Sequence, residues 1–186
     1  MIALLREFAT AAAARGIPWF VGGASARDIL LTHIHDIEPT RATADVDIGI
    51  SIESWDGHEA LRAELLASGH FEQRGNVTHR LDYRVPATGA RTWLDVVPFG
   101  GIADDRGEIA WPPDQVIRMN VAGFEEALRA AVPVRMDADL VVPVASLPSQ
   151  AMLKIIAWQD QRTAAATPAA AADWPPATPA ANGPGR

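Results

Sequence analysis

The chain has 186 residues, 48% of them hydrophobic, a formal net charge of −7 and no cysteine. That length suits one domain, with or without an appendage, and the apolar fraction supplies a sizeable core. The missing cysteine excludes a disulfide framework, cysteine-ligated zinc and a thiol nucleophile. The acidic balance argues against a general nucleic-acid binder, whose affinity rests on phosphate contacts.

Residues 2–15 have helical spacing, with Ile2, Leu5, Phe8 and Ala12 on one side. Arg6, Glu7 and Arg15 interrupt the stretch, so it reads as an amphipathic helix rather than a signal peptide. Gly16 and Pro18 end it. "PWFVGG" predicts a short buried strand, and Ala24 or Ser25 opens a second helix through "ARDILLTHI". Residues 44–52 alternate strictly, which is the period of a strand. "SWDGHEALRAELLASG" predicts a helix with Ser54 as N-cap and Gly69 as C-cap. "THRLDYRV" and "RTWLDVVPF", joined by "PATGA", predict a β-hairpin. A short helix in "VAGFEEALRAA" and short strands in "VPVRM" and "LVVPVA" follow. "LPSQAMLKIIAWQDQR" closes the series as a helix with Pro148 in its first turn.

This order predicts an α/β or α+β domain, a mixed β-sheet flanked by helices, because the hairpin excludes a purely parallel sheet. From Thr163 onward there are ten alanines and five prolines in twenty-four residues. The expected division is therefore a folded domain over 1–162 and a disordered low-complexity tail over 163–186. No apolar run is long enough to span a bilayer, and with no signal peptide the expected location is cytoplasmic.

In the stretch "ADVDIGIS", Asp45, Asp47, Gly49 and Ser51 share one face of a strand and Val46, Ile48 and Ile50 share the other. Aspartate is disfavoured in strands. Two like charges about 7 Å apart on one face repel unless something neutralises them. A divalent cation would, and Mg²⁺ takes one or two carboxylates together with substrate phosphates. Asp95 in "TWLDVVPF" has the same setting, and if its strand lies beside the first the three carboxylates converge on a metal site suited to phosphoryl chemistry. "VGGASARD" adds Gly22 and Gly23 between a strand and a helix, where the backbone approaches a phosphate closely, and the hydroxyl of Ser25.

Gly-Gly-x-Ser, Asp-x-Asp and a distant strand aspartate together resemble the DNA polymerase β-like nucleotidyltransferase superfamily. "FVGGASARDILL", "RATADVDIGI", "WLDVVPFGG", "AWPP" and "ASLPSQAMLKIIAWQDQR" resemble the bacterial AbiEii/AbiGii-type nucleotidyltransferases, some of which are toxins of toxin–antitoxin pairs. The resemblance covers roughly residues 15–162. It implies a nucleotidyltransferase fold and the Mg²⁺- or Mn²⁺-dependent transfer of a nucleoside monophosphate from a nucleoside triphosphate, such as ATP, to a hydroxyl. The acceptor would be an RNA end such as tRNA, a protein or a small molecule. A cognate antitoxin is an implied partner. Position by position, Gly22, Gly23 and Ser25 would hold the triphosphate, and Asp45, Asp47 and Asp95 the metal. Asp95 would also help deprotonate the acceptor. Lys154 would approach the phosphates, and Asp160 and Arg162 match the polar end of the same helix.

The sequence departs from the family in a longer gap before Asp45, filled by "HIHDIEPTRAT", and in the alanine–proline run after Arg162, where such proteins continue into helices. The alternative function is accordingly a nucleotide- or partner-binding protein without turnover. Other residues carry simpler readings. Lys154, the single lysine against fifteen arginines, also reads as a snorkelling helix residue. Arg41 and Thr43 orient Asp45 or touch the nucleotide, or else are polar residues of a loop and strand edge. His33 and His35 read as surface residues at a helix end. Arg80, Arg84 and Arg91 read as solvated strand arginines, with an acceptor-binding patch as the sharper option. Trp55, Trp93, Trp111 and Trp158 read as core or boundary residues.

Overall fold

A computed structural model of the chain describes residues 1–38, 45–73, 75 and 77–166, with side chains through Arg162. Its elements run α1 (Ile2–Ala14), β1 (Trp19–Gly22), α2 (Gly23–Ile34), β2 (Asp45–Ser51) and α3 (Trp55–Ala67). Then come β3 (Phe71–Gln73), β4 (Arg80–Arg84), β5 (Arg91–Phe99), β6 (Glu108–Ala110) and β7 (Arg118–Asn120). The chain continues through α4 (Phe124–Arg129), β8 (Val132–Asp137), β9 (Leu140–Val144) and α5 (Leu147–Ala166).

Seven strands form one mixed sheet in the order β3-β4-β5-β2-β1-β9-β8, and β6 pairs with β7 apart from it. β2 runs parallel to β5, and β1 parallel to β9, while the other neighbours are antiparallel. The apolar face of β2 drives this pairing: Val46, Ile48 and Ile50 are buried, as are Leu94 and Val96 beside them on β5. Each such side chain contributes about 1.5–3 kcal/mol when fully buried.

Helices cover both faces. Phe8 of α1 packs edge-on against Trp19, 5.1 Å between ring centroids. Phe20 points to the opposite face, where its ring meets Phe99 and Phe124 of α4 at 5.9 Å each. Gly49 lies under these rings, and a Cβ there would come within 2.6 Å of the Phe20 ring. The acidic face of β2 is thus floored with aromatics directly beyond the aspartates.

The differences from the sequence expectation are local. Ile2 is 38% exposed, and Leu4 and Ala11 join Leu5, Phe8 and Ala12 on the buried stripe of α1. α2 starts at Gly23 rather than at Ala24 or Ser25. Ser54 is the N-cap of α3 without a side-chain capping bond. The three-residue strands β3, β6 and β7 were not expected, since three residues are too few to show a period. α5 continues to Ala166, past the expected domain end at Arg162, and from residue 167 the expected disordered tail lies outside the described residues. No helix among the described residues is long and apolar enough to cross a membrane.

Candidate active site

β2 and β5 are in register with Asp47 opposite Asp95. In parallel neighbours this puts the two side chains on the same face, and Asp45, two residues before Asp47, joins them. One carboxylate oxygen from each of the three lies within 4.8 Å of the others. Asp95 is buried, and Asp45 and Asp47 are half-buried. Burial, and then the charges of Asp45 and Asp95, push the Asp47 carboxyl up from its ordinary 3.8 to about 6, against the opposing pull of Arg80. Clustered, partly desolvated carboxylates of this kind fit a hard divalent cation, whose charge removes the repulsion that the fold imposes.

Arg80 completes the cluster. Its Nε donates to Oδ1 of Asp95 at 2.6 Å and its Nη2 to Oδ2 at 2.5 Å. The guanidinium also lies 5.3 Å from the Trp93 ring centroid. The bond to Asp95 raises its pKa further, so it is a permanent cation. Reading Arg80 with Arg84 and Arg91 as solvated strand arginines is corrected here. Arg84 and Arg91 pair at the surface with Glu72, at 3.2 and 3.5 Å. Arg80 instead belongs to the acids. The hairpin itself carried the signal: with Arg84 opposite Arg91, counting outward places Arg80 opposite Asp95.

The glycine turn sits against the same acids. Gly22 is the register partner of Asp47. Gly23 has φ +58, and a Cβ there would fall 1.9 Å from Oδ2 of Asp47. Both backbone conformation and space therefore demand glycine at 23. Ser25 is fully buried, and its Oγ donates to the Asp45 carbonyl at 2.5 Å. Its hydroxyl anchors the start of β2.

A cavity of about 400 Å³ opens beside this turn. Gly22, Gly23 and Asp47 line it, together with Lys154, Asp160 and Asn120. The fold thus brings Lys154 to the glycines and an aspartate that lie more than a hundred residues earlier. Asp160 accepts a hydrogen bond from Nδ2 of Asn120 at 3.0 Å. Nothing in the sequence singled out Asn120, because the short β7 that carries it shows no pattern. Arg162 lies over the Trp158 ring, 4.6 Å from its centroid.

The other candidates divide. Trp158 is 54% exposed, which corrects its placement at the core or its boundary, whereas Trp111 is buried and packs on Trp55. His33 and His35 are exposed at the end of α2. Arg41 and Thr43 lie outside the described residues.

The family model described as "Nucleotidyl transferase AbiEii toxin, Type IV TA system" matches residues 4–168. No curated protein matches the chain. Among solved structures, a crystal structure of ANT(2'')-Ia in complex with adenylyl-2''-tobramycin is similar at 20% identity and a TM-score of 0.46, covering 94% of this chain and 80% of that one. A solution structure of the antibiotic-resistance factor ANT(2'')-Ia is similar at 21% identity and the same TM-score, covering 94% of this chain and 76% of that one.

Proposed function

The chain belongs to the AbiEii family of nucleotidyl transferase toxins, and we propose that its acids and glycine turn transfer a nucleoside monophosphate from a nucleoside triphosphate to a hydroxyl acceptor. The observation that carries this reading is the convergence of Asp45, Asp47 and Asp95 beside a cavity shared by Gly22, Gly23 and Lys154. Mg²⁺ or Mn²⁺, held by the three aspartates, would neutralise the charge that builds on the phosphates.

The protein's own contribution is placement and charge. The Gly22–Gly23 backbone lets the triphosphate approach the start of α2, whose unpaired N–H groups attract anions. Lys154 meets the phosphates from α5. Ser25 fixes the Asp45 backbone, and Arg80 fixes both oxygens of Asp95, so two of the acids are held in place from behind. The acceptor oxygen attacks the α-phosphorus as the bond to the bridging oxygen breaks and pyrophosphate leaves. The acceptor's proton passes to Asp95 and then to water. RNA ends, proteins and small hydroxyl compounds are all chemically competent acceptors. An antitoxin as cognate partner follows from the type IV toxin–antitoxin description of the family.

The test is a transfer assay with purified chain, Mg²⁺ and each α-labelled nucleoside triphosphate over separate pools of RNA, cell protein and small metabolites. Label entering one pool with wild type, and none with Asp45→Asn, is the expected result. A folded wild-type protein that binds nucleotide yet labels no pool would overturn the transfer reading in favour of nucleotide binding alone.

A further inference from the structure

We infer that Asn120 and Asp160 form the base-reading pair of the cavity, selecting nucleotides whose base carries an exocyclic amino group over uridine nucleotides. The inference rests on the nucleotide reading above and names the substrate class within it.

The distance along α5 sets the argument. Gln150, Lys154, Ala157 and Asp160 share the face of α5 that lines the cavity. The Gln150 end is pinned near the glycine turn. Its Nε2 donates to the Ala145 carbonyl at 2.7 Å, and the Ala145 N–H donates to the carbonyl of Val21, next to Gly22. Asp160 lies ten residues further along the helix, about 15 Å at roughly 1.5 Å per residue. Lys154 falls between the two, about 6 Å from Gln150 by the same rise. A nucleotide with its phosphates between the glycines and Lys154 therefore extends its sugar and base toward Asp160. The cavity also has apolar walls: Leu153 and Ala157 from α5, Phe124 from α4 and Met119 from β7. Such walls stack a flat ring and leave its polar edge to be answered by Asn120 and Asp160.

The orientation of the pair is set. Oδ1 of Asn120 accepts the Ala122 N–H at 2.8 Å, which aims Nδ2 at Oδ1 of Asp160. Among the described residues, one N–H of Asn120 and Oδ2 of Asp160 are then left for a ligand. A carboxylate only accepts hydrogen bonds, so it favours an amino group, which offers two N–H donors where uracil's edge offers one. Uracil offers a single N–H flanked by two carbonyl oxygens; the spare N–H of Asn120 answers one of them, and the other meets the carboxylate as like to like. Cytosine and uracil nucleotides are nearly equal in size and differ chiefly at this edge, so they isolate the effect.

The experiment is equilibrium binding by calorimetry, with full-length protein, Mg²⁺ and CTP or UTP. Hydrogen bonds to a charged acceptor are worth about tenfold or more in binding. Wild type should therefore prefer CTP by about that factor. Asp160→Asn, which can turn a donor outward, should bring the ratio close to one. Asp160→Ala should weaken CTP and leave UTP nearly unchanged, which a general loss of folding would not do. Equal binding of CTP and UTP by wild type, or a ratio that survives both substitutions, overturns the pair as base reader while leaving the nucleotide site standing. Failure of CTP, UTP, ATP and GTP alike to bind would remove the nucleotide reading itself and this inference with it.

Discussion

On the sheet side of the cavity, Asp45, Asp47 and Asp95 stand on strands paired along the whole of β2, with Ser25 and Arg80 fastening them from behind. On the helix side, Lys154 and Asp160 stand exposed on α5, and the polar contact of Asp160 with the sheet side's neighbour is one bond to Asn120. The acids are fixed by backbone register and by bonds that reach across the fold. Among the described residues, the helix pair has the bond from Asn120 to Asp160. On the proposed reading, the chemistry stands on the rigid wall and the selection on the wall that tolerates change. Substitutions on the sheet side should therefore cost rate, and those on the helix side should cost affinity or discrimination.

The largest effect is expected at Asp47. Asp47→Asn should lower kcat by about a thousandfold or more, the scale seen when a charge-stabilising group is removed. The same substitution should stabilise the metal-free fold at neutral pH. The folded-state pKa of about 6 lies above the ordinary 3.8, so folding binds the proton more tightly than the unfolded chain does. The stability this provides is complete below about pH 4. It is lost as the pH rises through about 6, where Asp47 ionises beside two other carboxylates. In chelator, Asp47→Asn should thus exceed wild type by about 1–3 kcal/mol at pH 7.5 and converge with it toward pH 4. Thermal melts at the two pH values measure this, and a destabilised variant at pH 7.5 would contradict it.

Arg80 comes next. Lysine keeps the charge and cannot grip both oxygens of Asp95. Arg80→Lys should lower kcat by about 10- to 100-fold, as loss of a partner that orients a metal ligand does. Binding of nucleotide should change less. A weaker dependence on Mg²⁺ concentration than in wild type would contradict the orienting role.

What the sequence showed of this site follows from how far each interaction reaches along the chain. The alternation around Asp45 and Asp47 is a local period, and it identified both the strand and its acidic face. Asp95 was legible because the same isolated acid recurs in an apolar strand. The glycines were legible from their place between strand and helix. Arg80 was not, because an arginine on a hairpin looks alike whether it faces water or an acid, and only the register with Asp95 separates the two. Ser25 was visible as a hydroxyl after two glycines, but its bond to the Asp45 carbonyl spans a segment whose path no local pattern gives. Asn120 was missed outright, since its partner lies forty residues away on α5. Lys154 entered through family resemblance, and its apolar helical neighbours alone would have left it a snorkelling residue.

Lys154 tests the helix wall. Lys154→Met keeps the stem and removes the charge, so packing on α5 is preserved. KM for the nucleoside triphosphate should rise about tenfold, the worth of a charge-assisted bond, with kcat changed less. A fall in kcat with KM constant would instead place Lys154 at the transition state and move it, in function, to the sheet side.

The smallest effect is expected at Arg91, which marks where the rigid wall ends. Arg91 lies on the same strand as Asp95 and four residues before it, so it shares the acidic face. Its side chain is 55% exposed, and its contacts to Glu72 and Asp82 are 3.5 and 3.9 Å long. Exposed ion pairs of this length contribute little, and Arg91→Ala should cost less than about 0.5 kcal/mol. Transfer with a small hydroxyl acceptor should be unaltered. Arg91 and Arg80 share charge and face but differ in exposure and in what stands opposite each in the hairpin. An Arg91→Ala variant as impaired as Arg80→Lys would mean that the whole arginine face of β4 and β5 serves the reaction. An unimpaired one confines the sheet-side machinery to the end of the hairpin where Arg80 meets Asp95.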